Sequence, residues 1–147
     1  MILREAIVVD SEALHEIEKE CFAEPFSSEG LAKDIESRHR SLYFVIEEEG
    51  EIIGYAAGWL TLDEGEIIAV AVKPSWRRDG NGKALVSKLI KSFWQLGAKK
   101  VFLEVRISNL SAINLYRRFG FTVVSVRKDY YAAPVEDAYV MLLEKGE

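Results

Sequence analysis

This sequence predicts a mixed α/β domain: a mostly antiparallel sheet of seven strands, flanked by about four helices. Three observations lead there. Short runs rich in β-branched and aromatic residues alternate with helical stripes in the order β-α-α-β-β-β-α-β-α-β-β. Glu49-Gly50 is a hairpin signal between two of those runs. The middle stretch, strand–helix–strand–helix–strand, predicts local parallel pairing, because parallel neighbours need a crossover between them.

The elements follow in order. Ile2 to Val9 reads as the first strand, and Asp10 as the N-cap of a helix with Leu14, Ile17 and Cys21 on one face. "EPFSSEG" breaks that helix. Ser27 or Ser28 caps a second one carrying Leu31 and Ile35. "SLYFVIEEEGEIIGYAAGWLTL" is two strands, Asp63 to Gly65 a turn, and "EIIAVAV" the next strand. After "PSWRRDGNG" comes the long helix. Leu85, Leu89 and Phe93 form one stripe, with Val86, Ile90 and Trp94 beside it and Gly97 as the C′ glycine. "KKVFLEV" is a strand, "SAINLYRRF" a short helix closed by Gly120, and "FTVVSVRK" and "DAYVMLL" are the last two strands. Trp59, Trp76 and Trp94 read as packing residues.

The 147 residues suit one domain, 1–147, with no linker or repeat. The opening residues lack the apolar core of a signal peptide. The longest nearly uncharged run, Ile52 to Leu62, is shorter than the roughly 20 residues a membrane helix needs. A single cysteine makes no intrachain disulfide, and a cytoplasmic location is expected. Cys21 lies on an apolar stripe and reads as a small buried hydrophobe rather than a nucleophile. His15 and His39 are far apart and no metal site is expected. A net charge of −5 disfavours general nucleic-acid binding and suits a basic peptide or an amine.

The glycines of "PSWRRDGNGKALVSKLI" set the functional question. A helix N-terminus leaves backbone N–H groups without partners, and its dipole favours an anion. Gly80 and Gly82 let a phosphate approach without a Cβ in the way, and Arg77, Arg78 and Lys83 add positive charge. A P-loop needs glycine where Arg77 stands and Ser or Thr where Ala84 stands. A dinucleotide fingerprint needs a third glycine at Leu85. Neither fits. A strand-to-helix turn with no ligand stays open.

Two further stretches, "VFLEVRISNLSAINLYRRFGF" and "RKDYYAAPVEDAYVM", join "AVAVKPSWRRDGNGKAL" in resembling the GNAT acetyltransferase superfamily. More narrowly they resemble the RimI-type protein N-terminal acetyltransferases, and "CFAEPFS" looks like that family's early segment. The resemblance implies a GNAT fold with a central parallel pair splayed at the acetyl-CoA site. It implies acetyl-CoA as cosubstrate, its pyrophosphate on the amides of Arg78, Asp79, Gly80, Asn81, Gly82 and Lys83, with Arg77 beside them. Its pantetheine arm would run along Val70, Ala71 and Val72, and Asn109 would contact the cofactor. The resemblance casts Glu104 as general base and Tyr116 as general acid. It implies a protein N-terminus as substrate, typically that of a basic small-subunit ribosomal protein, or of another protein with a small or Met first residue. Phe26, Tyr130, Tyr131, Glu136 and Asp137 would frame its groove. No direct nucleic acid or membrane contact is expected.

The chemistry suits those residue types. An α-amine with pKa near ~8 must lose a proton as it attacks a thioester, and a carboxylate takes it. A tyrosine hydroxyl improves the thiolate as a leaving group. From the residues alone, Glu104 also reads as a solvated strand residue, Tyr116 as a core tyrosine, Asn109 as a helix cap, and Tyr130 and Tyr131 as hairpin packing. Three positions depart from the family pattern. Phe26 stands for a tryptophan, Asp79 opposes phosphate charge unless it points outward, and Asn81 replaces an apolar residue, which predicts weaker local packing. Acetylation of lysine side chains or small amines is a second enzyme reading. A CoA-binding module without turnover is the non-enzyme reading.

Overall fold

The computed structural model describes residues 1–37 and 40–146, so His39 lies outside the described residues. Among the described residues seven strands form one sheet: β1 (Ile2–Glu5), β2 (Ser41–Glu48), β3 (Glu51–Thr61), β4 (Glu64–Val72), β5 (Lys100–Arg106), β6 (Thr122–Ala132) and β7 (Val135–Glu144). Their order across the sheet is β1-β2-β3-β4-β5-β7-β6. Four α-helices flank it: α1 (Ser11–Cys21), α2 (Ser28–Glu36), α3 (Asn81–Gln95) and α4 (Leu110–Arg118).

Strand alternation divides the core in two. On one face Leu14 and Ile17 of α1 and Leu31 and Ile35 of α2 meet Tyr43, Val45, Tyr55 and Ala57. On the other, the predicted α3 stripe of Leu85, Leu89 and Phe93 is buried with Ile113 of α4 against Phe44, Ile46, Ile67, Val101 and Leu103. Phe93 lies so close to the sheet that a Cβ at Gly58 would come within 2.5 Å of its ring, and one at Gly65 within 2.8 Å. Among the described residues α1 and α2 pack on β2 to β4. The face of β5 bearing Phe102, Glu104 and Arg106 is therefore left to the cleft described below.

Several local expectations hold. Glu49 and Gly50 both have positive φ, as a type I′ turn requires, and the Ser27 hydroxyl accepts from the Gly30 N–H at 3.0 Å. Others are corrected. The first strand ends at Glu5, and a 3-10 turn follows at Val8–Asp10. Asp10 stands at the N-cap position of α1 as expected, but its backbone is already helical and its side chain does not cap that helix. Its carboxylate accepts from Arg4 at 2.9 Å and from the Ile7 N–H at 2.8 Å, which spends it on the strand-to-helix corner. The β3–β4 turn falls at Leu62 and Asp63, and Gly65 belongs to β4, where Phe93 needs the space. Parallel pairing is confined to β4 with β5. β6 pairs with β7, which enters between β5 and β6 antiparallel to both.

Candidate active site

The parallel pair comes apart partway along. Glu64 to Ile67 of β4 pair with Lys100 to Leu103 of β5, and the ladder stops there. At that point β4 carries an extra residue: Ala57 faces Ala69 while Gly58 faces Ile67, so Ile68 is bulged. A bulge bends its strand, and the two strands diverge. The gap is a cleft of about 630 Å³. Its walls are Ile67 to Val70 and Leu103 to Arg106, with Asn109 and Tyr116 from the α4 side. Its lips are the α1–α2 segment around Phe26 and the β6–β7 tip from Tyr130 to Pro134.

On the β4 side the cleft offers backbone. The Lys73 N–H donates to Ile53 O on β3 at 2.8 Å. Alternation then turns the N–H groups of Val72 and Val70 away from β3, toward the gap. Val70 lines the cleft; Ala71 and Val72 are buried in the sheet. β4 leads through Pro74–Trp76 into the glycine loop. Arg78 and Gly80 both take positive φ there, +69° and +82°. The first helical bond is Ala84 N–H to Gly80 O. Among the described residues no protein acceptor meets the amides of Arg78 to Lys83. That row of free donors at the positive end of a 15-residue helix fits a pyrophosphate. A Cβ at Gly82 would meet only Leu115 at 3.6 Å.

Two expectations about the loop change. The Arg77 guanidinium turns back, donating to Val72 O at 2.9 Å and to Cys21 Sγ at 3.3 Å. Its side chain therefore braces the loop against α1 and β4. Asn81 does not loosen the packing; it is buried and its amide donates to Trp76 O at 2.9 Å. Asp79 is solvent-exposed. Cys21 is half-buried on the cleft wall rather than fully buried. Burial pushes its thiol up, with Arg77 opposing in part, and a raised thiol is a poor nucleophile at neutral pH.

On the β5 side the cleft offers side chains. Glu104 is largely covered, and its carboxylate pairs with Arg127 of β6 at 3.3 Å. Tyr116 is buried edge-on to Phe121, with ring centroids 5.7 Å apart. Burial, and secondarily the nearby Tyr131, pushes its hydroxyl above the ordinary tyrosine range, so it holds its proton at neutral pH. Asn109 both lines the cleft and caps α4, its Oδ1 accepting from the Ala112 N–H at 3.2 Å.

The lips carry Phe26 and Tyr130, each half-exposed, and Tyr131, whose hydroxyl burial pushes up to about 12. Glu136 and Asp137 are engaged elsewhere. Glu136 accepts from Arg106 at 3.2 Å and from the Ser108 N–H at 2.7 Å. Asp137 accepts from the Asp129 N–H at 2.8 Å. Both hold the hairpin in shape, and neither residue lines the cleft itself.

Three residues escaped the sequence reading. Glu18 is buried on the cleft wall, taking the Tyr55 hydroxyl and the Phe26 N–H, the latter at 3.0 Å. With His15 Nδ1 2.6 Å from Phe26 O it fixes the first lip. A glutamate inside the Leu14–Ile17–Cys21 stripe was the available signal. Glu66, in register with Phe102, shares the face of Glu104; burial raises its carboxyl, and the Glu104 charge adds to that. Arg106 braces the second lip.

The description "Acetyltransferase (GNAT) family" belongs to a family model that matches residues 11–121. The chain belongs to the GNAT acetyltransferase family. The GNAT match runs from α1 through α4, which includes both arms of the fork and stops before the β6–β7 lip. The [ribosomal protein bS18]-alanine N-acetyltransferase of Escherichia coli K12 is 35% identical over 136 residues, 91% of this chain and 90% of that protein. Its Haemophilus influenzae namesake is 36% identical over 143 residues, 95% of this chain and 96% of that one. The crystal structure of the Escherichia coli ribosomal-protein-S18-alanine N-acetyltransferase superposes with a TM-score of 0.89 at 32% identity, covering 99% of this chain and 96% of that one. Among the described residues of this GNAT chain, no helix is long and apolar enough to cross a membrane.

Proposed function

We propose that this GNAT chain transfers the acetyl group of acetyl-CoA to the N-terminal α-amine of a protein, by direct attack with both substrates bound. The observation that carries the reading is the fork between β4 and β5, with free amides along one arm and a carboxylate and a buried phenol along the other. Relatives at 35% and 36% identity that bear the bS18-alanine N-acetyltransferase name support a ribosomal-protein substrate with a small first residue.

The cosubstrate supplies an acetyl thioester. The amides of Arg78 to Lys83 would hold its pyrophosphate, and those of Val70 and Val72 its amide-bearing arm. Glu104 accepts the proton that the amine loses as its nitrogen bonds to the acetyl carbon. Tyr116, kept protonated by burial, donates to the sulfur as the carbon–sulfur bond breaks. Backbone N–H groups at the fork suit the charge that develops on the carbonyl oxygen. Phe26, Tyr130 and Tyr131 would flank the first residues of the peptide.

The test is CoA release with short peptides beginning with Ala, Ser, Met or Glu, beside an N-blocked peptide containing lysine. Turnover confined to free N-termini is expected. Turnover on the blocked peptide moves the activity to lysine, and silence throughout with CoA still bound replaces the reading by a small amine or a non-catalytic module.

A further inference from the structure

We propose that Arg106 is the positioning residue that fixes the β6–β7 lip and thereby sets the size of the first residue the cleft admits. The inference rests on the N-terminal reading above. Arg106 lies two residues beyond Glu104, on the same face of β5. Its guanidinium is a rigid fork with five donors, and the hairpin tip takes it up from several sides. Nη1 donates to Pro134 O at 2.9 Å and to Glu136 at 3.2 Å, and Nη2 donates to Ala133 O at 3.1 Å. The same group lies 4.2 Å over the ring of Tyr131. Tyr130 packs edge-on to the same ring, at 5.0 Å between centroids. The ring of Tyr131 is thus held at the cleft that Tyr116 also lines.

The hairpin needs such a clamp. β6 is the outer strand of the sheet and is exposed along nearly its whole length. Its ladder to β7 is interrupted between Arg127 and Tyr131, where Asp129 takes a positive φ. Beyond the gap the ladder resumes with two pairs, Tyr131 with Glu136 and Ala132 with Val135, while the Asp129 N–H to Asp137 bond bridges the interruption. Arg106 is what ties the tip to the β5 wall and so sets its height over the cleft. Glu136 completes the link by accepting from the Ser108 N–H, at the entrance to α4.

The experiment compares the wild-type chain with Arg106→Gln, Arg106→Lys and Glu136→Gln. Each is assayed with acetyl-CoA and matched peptides whose first residue is Ala, Ser, Leu or Phe. The wild type prefers the small first residues. In Arg106→Gln the peptide KM rises about tenfold and the ratio of kcat/KM for Ala over Phe falls about tenfold. KM for acetyl-CoA stays within about twofold. Arg106→Lys keeps the charge but loses the fork, and behaves like the glutamine variant. Glu136→Gln shifts the ratio in the same direction by a smaller factor, and covers the case in which the Arg106 variants do not fold. An unchanged Ala-to-Phe ratio in folded variants overturns the inference and leaves the N-terminal reading standing. A wild type that ignores every free N-terminus overturns both.

Discussion

In the proposed reaction the two arms of the fork divide the work by kind of group. From Ile67 to Val72 β4 carries no ionisable side chain, and it leads into a loop whose useful groups are backbone amides. Over the same rise β5 carries Glu104 and Arg106, and it leads to Asn109 and Tyr116. One arm is built by withholding side chains, the other by specifying them. An anion that binds to N–H groups is indifferent to residue type as long as nothing stands in the way. Proton transfer needs one particular side chain at one place. The two arms are therefore expected to fail differently.

The largest effect is expected on the β5 arm. Glu104→Gln removes the proton acceptor and keeps the shape, so kcat falls by about 10²–10³-fold, within the range for general-base loss. Binding of acetyl-CoA, read by calorimetry, stays within about twofold. Tyr116→Phe removes only the donor hydroxyl and lowers kcat by about 10²-fold, again with cofactor binding kept. Unchanged turnover in both variants would take the chemistry off this arm.

On the β4 arm the test is Gly82→Val. The first carbon of the new side chain has room, since Leu115 lies at 3.6 Å, so the fold is expected to survive. Its branches stand where an anion reaches the amides. The cofactor Kd rises about 10–100-fold, or roughly 1.4–2.7 kcal/mol, while kcat at saturation holds. A variant that binds CoA as the wild type does would free the loop of its assigned ligand.

Much of this division was legible in the sequence, for reasons that differ between the arms. Glycines before an apolar helical stripe point to a place where the backbone itself is approached, which is where the proposed phosphate site falls. The order of elements along the chain, the Glu49-Gly50 turn and the α3 stripe were readable because each is a local pattern. The bulge at Ile68 was not, since the ladder shift that makes it depends on β3. Side-chain assignments across elements were not legible either. Arg77 is one of two adjacent arginines and looks like a phosphate ligand until Val72 O and Cys21 are seen to take it. Glu136 and Asp137 look like free acids until the hairpin turns them onto backbone amides. Asp10 fits a cap by its sequence position, and Arg4 claims it from across a corner.

A smaller effect comes from pH. kcat/KM is expected to rise through the α-amine pKa of about 8 as the nucleophile loses its proton. Burial raises Tyr116, and a raised tyrosine keeps its proton as the pH climbs. The donor stays loaded through the ordinary tyrosine pKa near ~10, and no alkaline fall appears below it. The profile is measured from pH 6 to 10. A decline below pH 10 that vanishes in Tyr116→Phe would contradict the buried-donor assignment.

The stem below the fork gives the smallest expected effect on activity and the sharpest control for the comparison. Gly65 lies in the stretch where β4 and β5 are still paired, opposite Val101. A Cβ there would stand 2.8–2.9 Å from three ring atoms of Phe93, a fully buried side chain. Gly65→Ala therefore overpacks the core and costs about 1–3 kcal/mol. For a chain of this size that lowers Tm by roughly 2–4 °C per kcal/mol. Neither arm loses a group, so kcat and the cofactor Kd of the folded variant stay within about twofold. A tenfold loss of kcat without a loss of Tm would mean that strain in the stem reaches Glu104. The two arms would then not be separable from the sheet that carries them.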